Sequence, residues 1–419
     1  MTTHAPQELL RFRLRRASGR RRASSPLELL FDLTFVVAFA QAGDELAHFV
    51  AEGHIAAAVT SYAFVLISVC WAWTSYTWFA SAFDTDDWFH RILTMVQMVG
   101  VVILALGIPD VFESIDSGEP IDYRIVAAGY VVMRVSMIAM WLRVAIQDPA
   151  NRRTAMLYVV FTSGAQVGWV VLALSGVEDV TLLSVLVVLL WIVELGAPIV
   201  STWEGRGVGD QFLGTPWNAH HIAERYGLLV MITLGEGILG TVAAVSALVG
   251  RASWTPEAVL IVVAGVGLTF GIWWTYFIFP SAEVLARHRN RKWAWSYGHI
   301  VLIGGVAAVG AGLHVAAYAV EGEAAIGTVG VVLAVAVPVG IFCISYFTLW
   351  SVLFRAVDAL HLMLAAGMLV FLAIAVALAA GGVPLGICLL VVMASPAVVA
   401  VGYETGGYKH VEADLQREA

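Results

Sequence analysis

The stretch HHIAERYGLLVMITLGEGIL, residues 220–239, decides how the rest of the chain is interpreted. It is largely apolar, yet it carries two histidines, two glutamates and one arginine. Inside a bilayer an ionisable side chain costs about 2.5 kcal/mol or more, so it is kept where it is paired or functional. The stretch therefore predicts a membrane-crossing helix that contains a polar network.

The composition of the whole chain is that of a membrane protein. Of its 419 residues 60% are hydrophobic and 13% are charged, and the mean hydropathy is +0.84. An ordinary soluble domain has roughly 45–50% apolar residues. No basic groove for nucleic acid is indicated, and no P-loop, HExxH, CxxC or GxSxG motif stands in a usable context. We therefore predict neither an enzyme nor a resident cofactor, and the lipid bilayer is the expected partner.

Apolar runs of about 18–25 residues are long enough to cross a hydrocarbon core of about 30 Å. Twelve can be drawn, at 27–50, 55–79, 89–108, 123–147, 153–175, 180–202, 218–247, 256–279, 297–319, 325–353, 357–380 and 384–403. In the run 325–353 we expect a break or a strong tilt at Pro338 and Gly340, because proline interrupts helical hydrogen bonding. The fold class predicted is an all-α, multi-pass membrane protein.

The distribution of lysine and arginine predicts the orientation of these spans. With the N-terminus inside, 19 of the 23 basic residues lie in cytoplasmic segments, whereas Arg124 and Arg251 are external. Cytoplasmic loops of membrane proteins carry such an excess of positive charge. We therefore predict an inner (plasma) membrane protein with both termini in the cytoplasm.

The two halves of the chain resemble each other weakly. Glu28 matches Glu224, Trp73 matches Trp274, Pro198 matches Pro396 and His90 matches His299, at offsets of 196, 201, 198 and 209. Six spans separate the copies, so both would have the same orientation, as in the parallel repeats of some secondary transporters. The predicted parts are a basic cytoplasmic arm (1–26), a first repeat (27–202), a linker (203–217), a second repeat (218–403) and a cytoplasmic tail (404–419).

Four motifs carry a resemblance to a known family. They are SPLELLFDLTFVVAFAQ (25–41), FDTDDWFHR (83–91), HHIAERYGLLVMITLGEGIL (220–239) and WWTYF (273–277). Together they resemble the low temperature requirement protein A (LtrA) family of bacterial membrane proteins, although Leu30 stands where the family more often has Phe, and Gly237 where it has a small hydroxyl residue. The resemblance implies a multi-pass membrane protein and assigns no reaction or substrate.

Residues four apart on a helix share a face, which pairs His221 with Arg225 and Glu28 with Asp32. Glu236 lies on the Arg225 stripe, roughly 16 Å deeper at 1.5 Å per residue. The predicted ion-coupling or polar network comprises Glu28, Asp32, Arg134, His220, His221, Glu224, Arg225 and Glu236. Two interpretations stay open: a proton- or ion-responsive site, or a salt-bridge network that holds the two halves together.

Arg134 lies near the middle of its span, where a guanidinium needs a carboxylate partner. We expect Glu236 as that partner on grounds of depth, with Asp32 or Glu194 as alternatives. Gln41 roughly corresponds to Glu236 in the first half of the chain.

Several other residues offer weaker signals. The candidates for lining a substrate cavity are Gln41, Trp73, Tyr76, Trp274 and Tyr276. Asp84, Asp86 and Asp87 suit either a divalent cation or a helix cap, and we assign no metal site. His299, His314 and His361 would ligate haem only if two of them lay at matched depth.

The sequence thus predicts a proton- or ion-coupled secondary transporter of an unknown small solute. The alternatives are a non-transporting sensor or stress-response protein, an intramembrane redox protein with haem, and an ion channel, for which no selectivity-filter pattern is present.

Overall fold

The structure is a computed structural model that describes residues 22–83, 85–177, 179–203, 217–252, 254–355 and 357–408. Side chains are not described at 201–203 and 251–252. Most of the predicted arm (1–26), most of the linker (203–217) and the greater part of the tail (404–419) lie outside these residues. Within the described ranges the regular structure is helical.

Fourteen helices are described, twelve of them long enough, alone or with a short neighbour, to cross a membrane. They are α1 (Pro26–Ala51), α2 (Ile55–Ala82), α3 (Trp88–Leu106), α4 (Ile108–Asp116), α5 (Arg124–Gln147), α6 (Arg152–Leu174), α7 (Val180–Trp203), α8 (Ala219–Ala252), α9 (Pro256–Ile278), α10 (Ser281–Arg287), α11 (Lys292–Glu321), α12 (Thr328–Phe354), α13 (Ala359–Ala380) and α14 (Leu385–Gly402). Each predicted span matches one of the long helices, so the twelve-span prediction is confirmed.

Polar residues at the predicted loops begin several helices. Asp87 accepts a hydrogen bond from the His90 main-chain N–H (3.0 Å) at the start of α3, and Asp358 does the same for α13. Such caps satisfy main-chain donors that the first helical turn leaves unpaired. The break expected at Pro338 is wrong, because α12 continues through it. Transmembrane helices tolerate proline where neighbouring groups satisfy the freed main-chain atoms.

The helices form two compact units. The first contains the described residues up to 41 and residues 67–225: the first part of α1, the end of α2, α3 to α7, and the start of α8. Within it α3 packs against α5, α5 against α6, and α6 against α7. Gly129 permits the α3–α5 contact, because a Cβ there would lie 2.4 Å from the Leu104 nitrogen. Small residues allow such close approach in membranes.

The second unit contains residues 42–66 and the described part of 226–419. In it α11 packs against α12, α12 against α13, α13 against α14, and α14 against α9. The most buried span is α11, and the Tyr62 hydroxyl of α2 donates to the Gly304 carbonyl of α11 (2.8 Å). The predicted repeats and the orientation in the membrane stay predictions.

Candidate functional site

The starts of α1 and α8 bring four buried ionisable side chains together in the first unit. Arg225 Nη2 donates to Asp32 Oδ1 at 2.5 Å, and Arg225 Nη1 lies 3.3 Å from Glu28 Oε1. His221 Nε2 lies 3.0 Å from the same Glu28 oxygen, while Trp73 Nε1 donates to Asp32 Oδ1 at 2.6 Å. Glu28 and Asp32 on α1, and His221 and Arg225 on α8, thus join one network, whereas His220 and Glu224, which are also four apart, do not.

Further polar groups surround the Glu28 carboxylate. Arg22 Nη2 lies 3.3 Å from Glu28 Oε1, and the Ser25 main-chain N–H donates to Glu28 Oε2 at 2.7 Å. The predicted members Glu224 and His220 are not buried with the others: Glu224 is exposed and accepts from the Ser24 N–H at 3.1 Å, while His220 is half-buried. The network brings two carboxylates together with two arginines and one histidine. It fixes the start of α8 to the start of α1.

A second buried ion pair joins α5 to α7. Arg134 Nε lies 2.7 Å from Glu194 Oε1, and each side chain is 3% exposed. The Tyr130 hydroxyl accepts from Arg134 Nη2 at 2.5 Å and donates to Glu194 Oε1 at 2.9 Å. The first choice of partner, Glu236, is therefore wrong, and the alternative Glu194 is correct. Depth along a span limits which residues can meet, but it does not say which helices are neighbours.

Glu236 lies near the middle of α8 and belongs to the second unit. Its residue is 4% exposed, and it forms no hydrogen bond or ion pair with any residue that the structure describes. Its Oε2 faces α1, since a Cβ on Gly43 would lie 3.9 Å away. Gly310 of α11 packs against the Glu236 main chain, where a Cβ would approach to 2.5 Å. The carboxyl thus lies between α1 and α11 without an ion-pair partner among the described residues.

An ion pair between Asp44 and His314 lies near Glu236. His314 Nδ1 of α11 lies 3.0 Å from Asp44 Oδ1 of α1, and the Asp44 side chain is 59% exposed. Both members of the pair interact electrostatically with Glu236. Sequence reasoning considered His314 on its own and missed its contact with Asp44, because 270 residues separate them along the chain. The pair places an exposed carboxylate and a largely buried histidine near the Glu236 carboxyl.

The predicted cavity residues divide into two groups. Trp73, Tyr76 and Tyr276 are buried, and Gln41 is half-buried. Trp274 is 37% exposed, and its assignment to a cavity stays a prediction. Residues that are two apart on a helix point in directions about 200° apart, so Tyr276 and Trp274 cannot both face inward.

Two aspartates of the loop before α3 form ion pairs with arginines. Asp86 Oδ1 accepts from Arg91 Nε at 2.7 Å, and Asp87 caps α3 while it pairs with Arg143. Asp84 lies outside the described residues. The helix-cap interpretation is confirmed for Asp87, and its contact with the buried Arg143 was not predicted.

The histidines considered for haem have protein partners. His299 Nδ1 lies 2.8 Å from the Trp295 carbonyl oxygen, and His299 Nε2 lies 3.2 Å from the Tyr276 hydroxyl. Both ring nitrogens are engaged, whereas axial ligation requires a free one. His361 pairs with Asp358, so the residues present do not favour a haem site.

The fold and these buried ion pairs define a multi-pass, all-helical membrane protein. The chain belongs to the bacterial low temperature requirement A protein (LtrA) family, whose sequence profile matches residues 23–396. It is also similar to a protein of Rhizobium meliloti (strain 1021) described as uncharacterized, with 26% identity over 297 residues, 68% of this chain and 67% of that protein. No solved structure matches the chain. The family resemblance drawn from the four motifs is thus confirmed.

Proposed function

We propose that the protein is a proton-coupled secondary transporter of a small solute, and that Glu236 binds the coupled proton. The proposal rests on one observation: the Glu236 carboxyl is buried near the middle of a membrane-spanning helix and has no ion-pair partner among the described residues. Ionisable groups retained at such positions are typical of ion pathways and proton relays.

The free energy of burying the Glu236 carboxyl depends on whether it is protonated. An ionised carboxylate in an apolar interior costs several kcal/mol unless it is paired, whereas the neutral acid is far less costly to bury. The protonated form therefore suits the enclosed site, and the ionised form favours a conformation in which water or a cation reaches it. A difference of this kind between two conformations is what couples a proton to a conformational change.

The Asp44–His314 pair supplies a route for the proton. The Asp44 side chain is exposed, and both Asp44 and His314 interact electrostatically with Glu236. Histidine exchanges protons near neutral pH and acts as a relay in many proteins. In the predicted orientation Asp44 lies toward the outer end of α1, so this pair would connect the external solution with Glu236.

The packing of each unit supports the parallel repeats that many secondary transporters contain. Spans three to six pack in sequence in the first unit, and spans nine to twelve do so in the second. Each half also has an equivalent aromatic cluster from its first three spans. These clusters are Phe31, Tyr76 and His90 in the first half, and Tyr226, Tyr276 and His299 in the second. The two halves differ at one matched position: Gln41 in the first half roughly corresponds to Glu236 in the second, so only the second half has a carboxyl there.

Proton flux into liposomes tests the proposal. The purified protein is reconstituted with a pH-sensitive dye inside, the external buffer is made acidic, and a small-molecule fraction of a bacterial extract is added outside. We expect solute-dependent acidification of the lumen that is faster than in protein-free liposomes. Glu236→Gln, which keeps the shape of the side chain but cannot ionise, should abolish it.

Glu113→Gln is the matched control, because Glu113 is exposed on α4 and should leave the flux unchanged. The proposal fails if Glu236→Gln acidifies the lumen as fast as the unmodified protein. It also fails if the protein produces no solute-dependent flux, as expected for a sensor. Proton entry without added solute would indicate a channel instead.

A further inference from the structure

Buried polar atoms of α6 and α7 have no hydrogen-bond partner in the described chain. Glu194 Oε2 is one of them, and the Gln166 side-chain amide supplies two more, its nitrogen and its oxygen. Gln166 is 6% exposed and lies in α6, the helix that packs against both α5 and α7. Buried polar groups normally have partners, so an unpartnered amide and carboxylate oxygen require an explanation.

The helix register brings Gln166 to the level of Glu194. The Trp169 ring contacts Tyr123 at 5.8 Å and Trp191 at 6.5 Å between ring centroids, so this face of α6 points between α5 and α7. Gln166 is three residues before Trp169 and shares its face. Because α6 and α7 run in opposite directions through the membrane, moving from Trp169 to Gln166 corresponds to moving from Trp191 to Glu194. This register puts Gln166 near the level of Glu194, on the helix that packs against both α5 and α7.

We propose that α5, α6 and α7 form the solute site, and that the solute is a small zwitterion of the α-amino-acid type. Its carboxylate binds Arg134, its ammonium group binds Glu194, and the Gln166 amide bonds to both through its donor and its acceptor. The inference names the solute class of the transporter proposed above and rests on that proposal for its biological meaning.

Charge balance selects a zwitterion. The two members of the pair are both 3% exposed, and a solute that separates them must leave no buried charge uncompensated. An anion would satisfy Arg134 but leave Glu194 alone, and a cation would do the reverse. A zwitterion offers each charged side chain a group of opposite charge, and it has no net charge itself. Charge-assisted hydrogen bonds of this kind are the strong ones.

Binding to the purified, full-length protein tests the inference without relying on proton flux. Each common amino acid is added separately, and thermal unfolding is followed by tryptophan fluorescence. A ligand that binds the folded state raises the Tm in proportion to the logarithm of its concentration. We expect at least one amino acid to do so, while its N-acetyl derivative, an anion, and its carboxamide, a cation, do not.

Two variants locate the binding. Gln166→Leu removes an amide that has no partner in the described chain, so the protein should fold, and its affinity should fall about tenfold or more. Gln97→Leu is the matched control: Gln97 is a buried glutamine of α3 bonded to the Met140 sulfur, and its loss should leave the affinity unchanged.

The inference is overturned if no amino acid raises the Tm, if the anionic derivative does so equally well, or if Gln166→Leu binds like the unmodified protein. Amino-acid binding without proton flux would contradict the proposed coupling and leave the solute site intact. Solute-dependent proton flux without amino-acid binding would do the opposite.

Discussion

The buried Arg134–Glu194 pair gives a quantitative test of how the first unit is held together. Replacing Arg134 by Met leaves Glu194 in the same position, 3% exposed, with its ionised form deprived of the guanidinium. Replacing both residues by Met removes the two charges together and keeps apolar volume between α5 and α7. The two variants therefore separate the cost of an unpaired charge from the net contribution of the pair.

The expected magnitudes follow from the contacts. Removing one partner of a buried pair costs about 3–5 kcal/mol, because the other charge is left uncompensated. The Tyr130 hydroxyl, which donates to Glu194 at 2.9 Å, offsets part of this, since a hydrogen bond to a charged group contributes about 1.5–3 kcal/mol. We expect Arg134→Met to destabilise the protein by roughly 2–4 kcal/mol, and the double variant to be neutral or more stable by about 1–4 kcal/mol.

Equilibrium unfolding in mixed micelles with increasing denaturing detergent measures both free energies. Trp169 and Trp191 lie beside this region and provide a fluorescence signal. The Glu194→Met single variant completes the double-mutant cycle, which isolates the pairwise energy. The reasoning is refuted if Arg134→Met costs less than about 1 kcal/mol, or if the double variant is as unstable as Arg134→Met.

Three further substitutions probe other parts of the structure, each by the same unfolding measurement. Gly129→Ala should destabilise the protein by about 1–3 kcal/mol, because the new Cβ would meet the main chain of α3. Gly164→Ala is the control, because Gly164 has open space around it and its replacement should not destabilise the protein. Equal effects of the two substitutions would contradict this reasoning. Trp73→Phe should cost about 1.5–3 kcal/mol, because it removes a hydrogen bond to the Asp32 carboxylate, and an unchanged stability would argue against that bond. Trp274→Leu should change stability by no more than about 0.5 kcal/mol because the residue is 37% exposed, and a larger loss would indicate a packed position.

The helices could be predicted from the sequence because their signal is local. A span needs a run of apolar residues of fixed length, and each of the twelve runs became a helix of nearly the expected bounds. The pairing of His221 with Arg225 on one face was also local, since it follows from 3.6 residues per turn. The predicted break at Pro338 was wrong, because a transmembrane helix tolerates proline where neighbouring groups satisfy the freed main-chain atoms.

The partners of the buried charges could not be predicted in the same way. Residue depth along a span is readable from the sequence, but the lateral order of helices depends on tertiary packing. Glu194 and Glu236 were both acceptable partners for Arg134 until the packing of α5 and α7 was known. The contact between Asp44 and His314 and the level of Gln166 depend on the same packing. Gln166 did carry one signal, an uncharged amide within an apolar span.

Infrared difference spectroscopy of the purified protein tests the central claim, that Glu236 binds and releases a proton, most directly. Spectra recorded in acidic and in alkaline buffer differ in the carbonyl stretching band of any carboxylic acid that titrates between them. We predict that one component of this band is absent from Glu236→Gln and present in Glu113→Gln. An identical carbonyl band in the unmodified protein and in Glu236→Gln would contradict the account.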